Sequence, residues 1–196
     1  MKRILVATHN AHKLKEFRDI FAQYPVDLIS LDDLGDLAEV VEDGMTFSDN
    51  ARLKALYFAK KHRLTTIADD SGLIIDALDG QPGILSARYS GKGDEANNVK
   101  VLKEMQDVSD RSAHFMTSIA LCTAKGECHI YQGRIDGTIA REQKGSKGFG
   151  YDPIFIPESY DQTFAELGDA VKNRISHRAI ALNKLKENLD DIIADE

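Results

Sequence analysis

The start of the chain places a short apolar segment, a polar turn and an amphipathic helix in immediate succession, and this order restricts the fold more than any other feature. Ile4–Ala7 is apolar throughout, which is typical of a buried strand. Leu14, Phe17 and Phe21 then recur at the spacing of one helix face, and Asn10 is the predicted N-cap. A strand that leads directly into a helix favours a mixed α/β fold.

Strand and helix patterns alternate along the rest of the chain. The sequence predicts three more short strands, at 26–30, 64–68 and 153–157. It predicts a helix that Thr46 or Ser48 caps and that runs to about His62, followed by helices at 97–105 and 177–189. Residues 113–123 and 129–141 form a predicted antiparallel hairpin. With no repeat or linker, we predict a single domain over residues 1–196.

Composition excludes several classes of protein. Hydrophobic residues make up 42% of the chain and charged residues 29%, which suits a globular protein and argues against a long disordered chain. No apolar run approaches the roughly 18 residues that span a bilayer. The first apolar run is too short for a signal peptide, so we expect a cytoplasmic protein.

The charge balance limits the choice of partner. The chain has 25 Lys and Arg against 32 Asp and Glu, a net charge of −7, which disfavours a nonspecific nucleic-acid binder. A small anionic ligand remains compatible, because basic residues cluster locally. The clusters are His9, His12, Lys13 and Lys15; Arg141, Lys144 and Lys147; and Lys172, Arg174, His177 and Arg178. Solvated faces are the alternative explanation for these clusters.

The two cysteines, Cys122 and Cys128, flank the predicted hairpin tip. A cross-strand disulfide is geometrically feasible there, but the lack of an export signal favours free thiols. A zinc site needs more Cys or His at close spacing, and the neighbouring His129 alone does not supply it. We therefore expect both cysteines to be reduced and structural.

The turn after the first predicted strand, Thr8-His9-Asn10-Ala11-His12-Lys13, is a candidate phosphate site. It contains neither the glycine-rich dinucleotide fingerprint nor a Walker loop. It offers a hydroxyl, a short amide, a lysine and the backbone N–H groups that a helix start leaves free, and all of these suit an anion. An ordinary capped helix has the same residues, so the turn alone does not decide between the two.

Two adjacent carboxylates, Asp69 and Asp70, follow the predicted strand 64–68. Because successive strand side chains point to opposite faces, we expect one carboxylate to reach the functional site while the other orients or stabilises it. A carboxylate at a strand end can bind Mg²⁺ through oxygen and can activate water. A charged turn is the structural alternative.

The glycine-rich segment Gly148–Pro153 carries two aromatic residues, Phe149 and Tyr151. Its glycines permit close backbone approach to a flat ligand, and an aromatic ring there can stack on a nucleobase. A tight turn whose aromatic rings belong to the core is the alternative.

The last predicted helix begins at Ser176-His177-Arg178, where Ser176 is a good N-cap. His177 and Arg178 put positive charge in the first turn, where the helix dipole disfavours it. This favours a nearby anionic or carbonyl partner, with a capped surface helix as the alternative.

Together these segments resemble the inosine triphosphate pyrophosphatase family, hydrolases that remove noncanonical purine nucleotides. The resemblance runs from Ile4 to Leu185 and depends on six motifs in a fixed order. They are Thr8–Lys13, Thr46–Ala51 with Leu53–Ala55, Ala68–Leu73, Pro82–Gly83 with Ser86–Gly91, Gly148–Phe155, and Ser176–Arg178.

The resemblance implies an elongated, curved central mixed sheet flanked by helices, and two lobes with a nucleotide cleft between them. It implies a Mg²⁺-dependent homodimer that hydrolyses ITP, dITP and XTP to the monophosphate and pyrophosphate. Nucleoside triphosphates would be its partners, with no nucleic acid and no membrane.

The resemblance also assigns roles to single residues. Asp70 would be the general base and a metal ligand, with Ser71 beside it, and Lys54 would reach phosphate. The second metal ligand would be an acidic residue before the second helix, where family members often have Glu-Glu-Thr-Gly. This chain has Glu42-Asp43-Gly44, one residue shorter, so Glu42 and Asp43 are both candidates, and we prefer Glu42. Two larger groups remain: a triphosphate site of Thr8, His9, Asn10, Ala11, His12 and Lys13, and a base and sugar pocket of Phe149, Gly150, Tyr151, Asp152, Lys172, His177 and Arg178.

The expected chemistry is attack of water on the α-phosphorus, with pyrophosphate as leaving group and cations that neutralise the developing charge. No nucleophile–base pair is evident, so we expect no covalent intermediate. One alternative is a septum-formation-inhibitor type pyrophosphatase acting on pyrimidine or modified nucleotides, against which Ser176–Arg178 and Gly148–Asp152 argue. The other is a nucleotide sensor without turnover, against which Asp69, Asp70 and Lys13 argue.

Overall fold

The computed structural model describes residues 2–194 and contains a six-stranded sheet. The strands are β1 (Lys2–Val6), β2 (Val26–Ser30), β3 (Thr66–Ile75), β4 (Ser112–Cys122), β5 (Cys128–Ile139) and β6 (Phe155–Pro157). They lie in the order β2-β1-β3-β4-β5-β6. β1 is parallel to both β2 and β3, whereas β5 and β6 are antiparallel. This mixed sheet and its helices confirm the predicted α/β class.

The helices are α1 (Ala11–Phe21), α2 (Phe47–His62), α3 (Asp94–Glu104), α4 (Phe164–Leu167), α5 (Asp169–Ile175) and α6 (His177–Ala194). Asn10 caps α1, as predicted, and of the two candidates for α2 it is Thr46 that caps the helix. The short helices α4 and α5 were not predicted, since one or two turns give too little periodicity to detect. None of the helices in the described part of the chain is long and apolar enough to cross a membrane.

The described residues divide into two compact units. Unit 1 comprises the chain up to Asp70, residues 117–132 and the chain from Ile180 onward. Unit 2 comprises residues 71–116 and 133–179. Three strands, β3, β4 and β5, contribute residues to both units.

In unit 1 both faces of β1 are buried, which explains its unbroken apolar sequence. Ile4 and Val6 belong to one apolar cluster, which includes residues of α1 and α6. Leu5 and Ala7 belong to another, which includes residues of α2. The side chains of β1 therefore alternate between two cores, as the period of a strand requires.

The core of unit 2 is aromatic. Phe115 of β4, Phe155 of β6 and Phe164 of α4 are all buried in one cluster. The ring centroids of Phe115 and Phe155 lie 4.4 Å apart, and those of Phe155 and Phe164 lie 5.6 Å apart. This core lies beside one predicted site residue, because the ring of His177 stacks on Phe115.

The prediction that a strand ends at the two aspartates is wrong. β3 runs without a break from Thr66 through Asp69 and Asp70 to Ile75. Charged residues usually mark a strand end because burial of an isolated charge is unfavourable. Here each carboxylate finds a cationic or amide partner on a neighbouring helix, so the strand continues through them.

The prediction of free thiols is also wrong. Cys122 is the last residue of β4 and Cys128 the first of β5, and their sulfurs are bonded to each other. The register of the hairpin sets their Cα atoms 4.1 Å apart. The prediction recognised that the hairpin could pair the two cysteines, but it rejected the bond on the expected redox compartment.

Candidate active site

The turn between β1 and α1 uses its own side chains to bind its backbone. Thr8 Oγ1 accepts a hydrogen bond from the N–H of Asn10 at 3.1 Å. Asn10 Oδ1 accepts from the N–H groups of His12 and Lys13, at 3.0 and 3.1 Å. These three backbone N–H groups therefore already donate hydrogen bonds within the turn. The expectation that the helix start leaves its N–H groups free for an anion is wrong for these three.

Two other side chains of the turn reach further. His9 Nε2 lies 2.9 Å from the carbonyl oxygen of Ala38, in the loop that precedes α2. Lys13 Nζ lies 3.2 Å from Asp69 Oδ2. The turn is thus joined both to that loop and to β3, and Ala11 lies exposed at the start of α1.

Asp70, the predicted general base, is buried in β3 and accepts a hydrogen bond from Asn50 Nδ2 at 3.0 Å. Burial, with a smaller contribution from the negative charge of Glu42, raises the pKa of Asp70 to about 6. The Asn50 bond and the charges of Lys13 and Lys54 act in the opposite direction. A carboxylate with this pKa is ionised at neutral pH and is still basic enough to accept a proton, as a general base must.

The loop before α2 carries the two candidates for a second acidic ligand. Glu42 is half-buried, and its Oε1 lies 2.7 Å from Lys54 Nζ. Asp43 is exposed. Next in sequence, the N–H of Gly44 donates to Asn50 Oδ1 at 2.8 Å. Glu42 is thus the acidic residue of this loop that is electrostatically coupled to Asp70.

The chemistry of Glu42 and Asp70 fits a divalent cation. Their mutual repulsion contributes to the raised pKa of Asp70, and a cation bound to both would remove it. Mg²⁺ prefers oxygen ligands and is usually held by one or two carboxylates together with substrate phosphates. Among residues 2–194, no three His, Cys, Asp or Glu side chains lie close enough together to hold a metal ion by themselves. Oxygens of the substrate and of water would therefore supply the remaining ligands of a cation bound to Glu42 and Asp70.

In unit 2, Asp152 and Lys172 form a buried ion pair beside the glycine-rich loop. Lys172 Nζ lies 2.7 Å from Asp152 Oδ2, which also accepts from the N–H of Phe149 at 3.0 Å. The same ammonium lies 4.2 Å from the centre of the Phe149 ring. Gly148 has φ +77°, and a Cβ there would lie 2.1 Å from Asp152 Oδ2, so the loop requires glycine at this position.

The rest of the loop is held by polar contacts of its backbone and of Tyr151. The carbonyl of Gly150 accepts from Asn98 Nδ2 at 3.0 Å, and its N–H donates to Asp94 Oδ2 at 2.9 Å. Tyr151 is buried, and its hydroxyl donates to the carbonyl of Ser86 at 2.6 Å. Tyr151 therefore supports the loop from the core, whereas Phe149 remains half-buried.

His177 and Arg178, at the start of α6, are both buried although both can carry charge. The ring of His177 stacks on Phe115, with centroids 4.8 Å apart. Arg178 is 1% exposed, and its Nη2 donates to Ser71 Oγ at 3.0 Å. Ser176 Oγ accepts from the N–H three residues later, which confirms it as the cap. Arg178 thus contacts the residue that follows Asp70 in β3.

The predicted residues divide between the two units, and the residues of each unit are named here as one cluster. The cluster of unit 1 consists of Thr8, His9, Asn10, Ala11, His12, Lys13, Glu42, Lys54 and Asp70. The cluster of unit 2 consists of Ser71, Phe149, Gly150, Tyr151, Asp152, Lys172, His177 and Arg178.

Asn50 was not among the predicted site residues, although it binds both Asp70 and Gly44. The available signal was its place on α2: it lies on the face that also buries Phe47, Ala51 and Ala55. A polar residue on a buried helix face needs a partner, and this indicates a structural or functional contact.

Several known proteins are similar to this chain over nearly its whole length. A model of the Ham1 family matches residues 4–188. A protein of Oceanobacillus iheyensis named a dITP/XTP pyrophosphatase is 50% identical, over 98% of this chain and 100% of that protein. The Ham1 protein structure from Coxiella burnetii has a TM-score of 0.88 and 41% identity, over 97% of this chain and 100% of that one.

The Staphylococcus aureus Ham1 protein has a TM-score of 0.86 and 41% identity, over 97% of this chain and 99% of that chain. A second relative, a dITP/XTP pyrophosphatase of Desulfotalea psychrophila, is 46% identical over 97% of this chain and 86% of that protein. These matches confirm the resemblance seen in the six motifs. The chain belongs to the Ham1 family.

Proposed function

We propose that this chain is a nucleoside triphosphate pyrophosphatase that hydrolyses dITP, XTP and ITP to the monophosphate and pyrophosphate. The observation that carries the proposal is the buried carboxylate of Asp70, with a pKa of about 6 and with Lys13 and Lys54 close enough to act on its charge. Family membership supports the substrate class, because the relatives described above are named for it. Free nucleotides are made and used in the cytoplasm, so we place the activity there.

In this proposal Asp70 accepts the proton of the water that attacks the α-phosphorus. Its burial keeps its basicity high enough for that task, and the bond from Asn50 fixes the direction of one oxygen. Lys13 and Lys54 bind phosphate oxygens through charge. Each already lies beside a carboxylate, at 3.2 Å from Asp69 and 2.7 Å from Glu42, so each is held in place before the substrate arrives.

Glu42 and Asp70 are the residues that would hold Mg²⁺. When bound, the cation neutralises phosphate charge and lowers the pKa of water. Glu42 contributes a half-buried carboxylate that Lys54 orients through their 2.7 Å contact. Asp70 contributes a buried one whose repulsion from Glu42 favours a cation in their vicinity.

The cluster of unit 2 is proposed to bind the base. Hypoxanthine and xanthine carry a carbonyl acceptor at position 6, whereas adenine carries an amino donor there. Lys172, His177 and Arg178 supply donors, and Lys and Arg have no acceptor. A 6-amino group that meets such a donor in a desolvated pocket costs about 1–3 kcal/mol, so two such mismatches reduce kcat/KM for ATP by roughly 10²–10⁴-fold.

The products of hydrolysis test the proposed chemistry. With dITP and Mg²⁺, we expect pyrophosphate and the monophosphate, without orthophosphate as a primary product. In ¹⁸O-labelled water the label is expected in the monophosphate, because attack is at the α-phosphorus. Label in pyrophosphate would place the attack at the β-phosphorus, and release of orthophosphate would refute the proposed reaction.

Asp70→Asn tests the assigned base. We expect it to keep nucleotide binding and to lose about 10²–10⁴-fold in kcat, the usual contribution of a general base. Asp69→Asn, the control, removes the neighbouring carboxylate and is expected to have a smaller effect. An Asp70→Asn enzyme with more than about half of the wild-type kcat would contradict the assignment.

We also propose that the chain forms a homodimer, as the family resemblance implies. Support comes from apolar side chains that unit 1 leaves exposed over residues 37–57: Leu37, Val41, Met45, Leu53 and Tyr57. Burial of such side chains in a symmetric pair stabilises a dimer. Light scattering is expected to give twice the chain mass of 21.7 kDa, and a mass near 21.7 kDa at micromolar protein would reject the dimer.

A further inference from the structure

We propose that Asn50 is a positioning residue, which holds the carboxylate of Asp70 and the loop that carries Glu42 in one fixed arrangement. Its side chain makes one bond to each of them, and it is the link through which α2 sets the two acidic groups for a cation. The inference rests on the proposed function, because it assigns Asn50 a task in the same site.

The partners of Asn50 determine how its amide is oriented. Nδ2 donates to Asp70 Oδ2 at 3.0 Å, and Oδ1 accepts from the N–H of Gly44 at 2.8 Å. An ionised carboxylate has no proton to donate and an N–H cannot accept, so the reversed amide would mismatch both partners. The side chain is 3% exposed, and a mismatch there would be costly because water cannot repair it.

The loop approaches α2 closely at the point where Asn50 binds it. A Cβ on Gly44 would lie 2.7 Å from Asn50 Oδ1 and 2.6 Å from the Cβ of Asp49. Both distances are too short for a real side chain. Any residue other than glycine therefore displaces the loop from the helix and breaks the bond to Asn50.

The backbone of Asn50 is itself fixed at the start of α2. Thr46 Oγ1 accepts from the N–H of Asp49, and Asp49 Oδ2 accepts from the N–H of Thr46, both at 3.1 Å. This capping box sets the first turn of the helix. One turn after Asn50, Lys54 binds the side chain of Glu42 at 2.7 Å.

Since residues four apart share a helix face, Asn50 and Lys54 hold the loop at two points. Asn50 holds its main chain at Gly44, and Lys54 holds the carboxylate of Glu42. Only Asn50 of these two is also bonded to Asp70. Its loss is therefore expected to release Asp70 and the main chain of the loop at once, whereas a residue that merely stabilises the helix would leave the arrangement of the acidic groups unchanged.

The test measures binding of Mn²⁺, a spectroscopic substitute for Mg²⁺, to the protein without nucleotide. Two variants break the same link from its two sides, Asn50→Ala and Gly44→Ala. Each is expected to weaken Mn²⁺ binding by about 10–100-fold, the usual effect of removing a group that orients a metal ligand. The double variant is expected to bind Mn²⁺ no more weakly than either single variant, because both break one link.

Asn97→Ala is the matched control. Asn97 is also buried on a helix, where Oδ1 accepts from Ser90 Oγ at 2.7 Å and Nδ2 donates to the carbonyl of Ala87 at 3.3 Å. It lies in unit 2 and contacts no proposed ligand. We expect Asn97→Ala to lower the unfolding temperature and to leave Mn²⁺ affinity unchanged.

Two results would overturn the inference. One is unchanged Mn²⁺ affinity in both Asn50→Ala and Gly44→Ala, with only the unfolding temperature lowered. The other is additive losses in the double variant. Kinetics with dITP separate this outcome from a failure of the proposed function: if wild-type protein releases no pyrophosphate, the proposed function fails. If wild-type protein does release pyrophosphate and either of these two results is obtained, the inference about Asn50 fails alone.

Discussion

Asp70→Asn is expected to stabilise the folded protein at neutral pH while it removes activity. Burial raises the pKa of Asp70 from an ordinary 3.8 to about 6, so the folded state holds this proton more tightly than the unfolded chain. The contribution of Asp70 to stability is therefore complete below pH 3.8 and is lost as the pH rises through about 6. Since each pKa unit corresponds to about 1.36 kcal/mol, ionised Asp70 lowers the free energy of unfolding by about 3 kcal/mol.

Asparagine has nearly the shape of aspartate, keeps an acceptor for Asn50 and does not ionise. The free energy of unfolding of the variant is expected to exceed that of the wild type by up to about 3 kcal/mol above pH 6, and to equal it below pH 3.8. For a chain of this length, a gain of that size raises the unfolding temperature by up to about 6–12 °C. Thermal unfolding in a metal chelator, at neutral pH and at about pH 4, measures the difference.

Asp69→Asn is the control for this stabilisation, because it removes the partner of Lys13 and is expected not to stabilise the protein. If Asp70→Asn unfolds at or below the wild-type temperature at neutral pH, the ionised carboxylate does not oppose folding. An equal gain at both pH values would also refute the reasoning, because a titrating group cannot produce it.

Three further predictions concern other charged groups. Lys172→Met leaves Asp152 buried without its cation and is expected to lower the free energy of unfolding in urea by about 3–5 kcal/mol. Adding Asp152→Asn is expected to restore part of that stability, and no recovery would contradict the pairing. Hydrogen bonds, chiefly from Lys61, hold the pKa of Asp36 well below its ordinary 3.8, so its stabilisation is present above that pH and lost below it. Asp36→Asn should therefore unfold earlier than wild type at neutral pH, with a gap that narrows on acidification; a gap independent of pH would refute this. Arg178→Ala is expected to lose kcat/KM on ITP and to keep it on ATP; an equal loss on both substrates would assign Arg178 to the phosphates or the fold.

Much of the fold was predictable because local patterns determined it. The alternation of apolar strands and amphipathic helices gave β2 at its observed bounds, and the capping residues Asn10, Thr46 and Ser176 gave the starts of three helices. These signals lie within a few residues of the elements that they determine, so they can be recognised from the sequence alone.

Features that depend on partners distant in sequence were missed. β3 continues through Asp69 and Asp70 because helices α1 and α2 supply their partners. The Cys122–Cys128 bond, between residues only six apart, was missed for another reason: the geometry was recognised, and the redox argument overruled it. For the candidate site, the residue types were readable from the motifs, but the role of Asn50 depends on its contacts, which link residues 44, 50 and 70.

The central claim, selective hydrolysis of noncanonical purine triphosphates, is tested most directly by kcat/KM for pyrophosphate release over a panel of nucleoside triphosphates. We expect dITP, XTP and ITP to exceed ATP by at least about 10²-fold, because Lys172, His177 and Arg178 offer donors to a 6-carbonyl, and Lys172 and Arg178 have no acceptor for a 6-amino group. Comparable values for ATP and dITP, or a preference for pyrimidine triphosphates, would contradict the claim. Tight binding of every nucleotide without pyrophosphate release would identify a sensor in place of an enzyme.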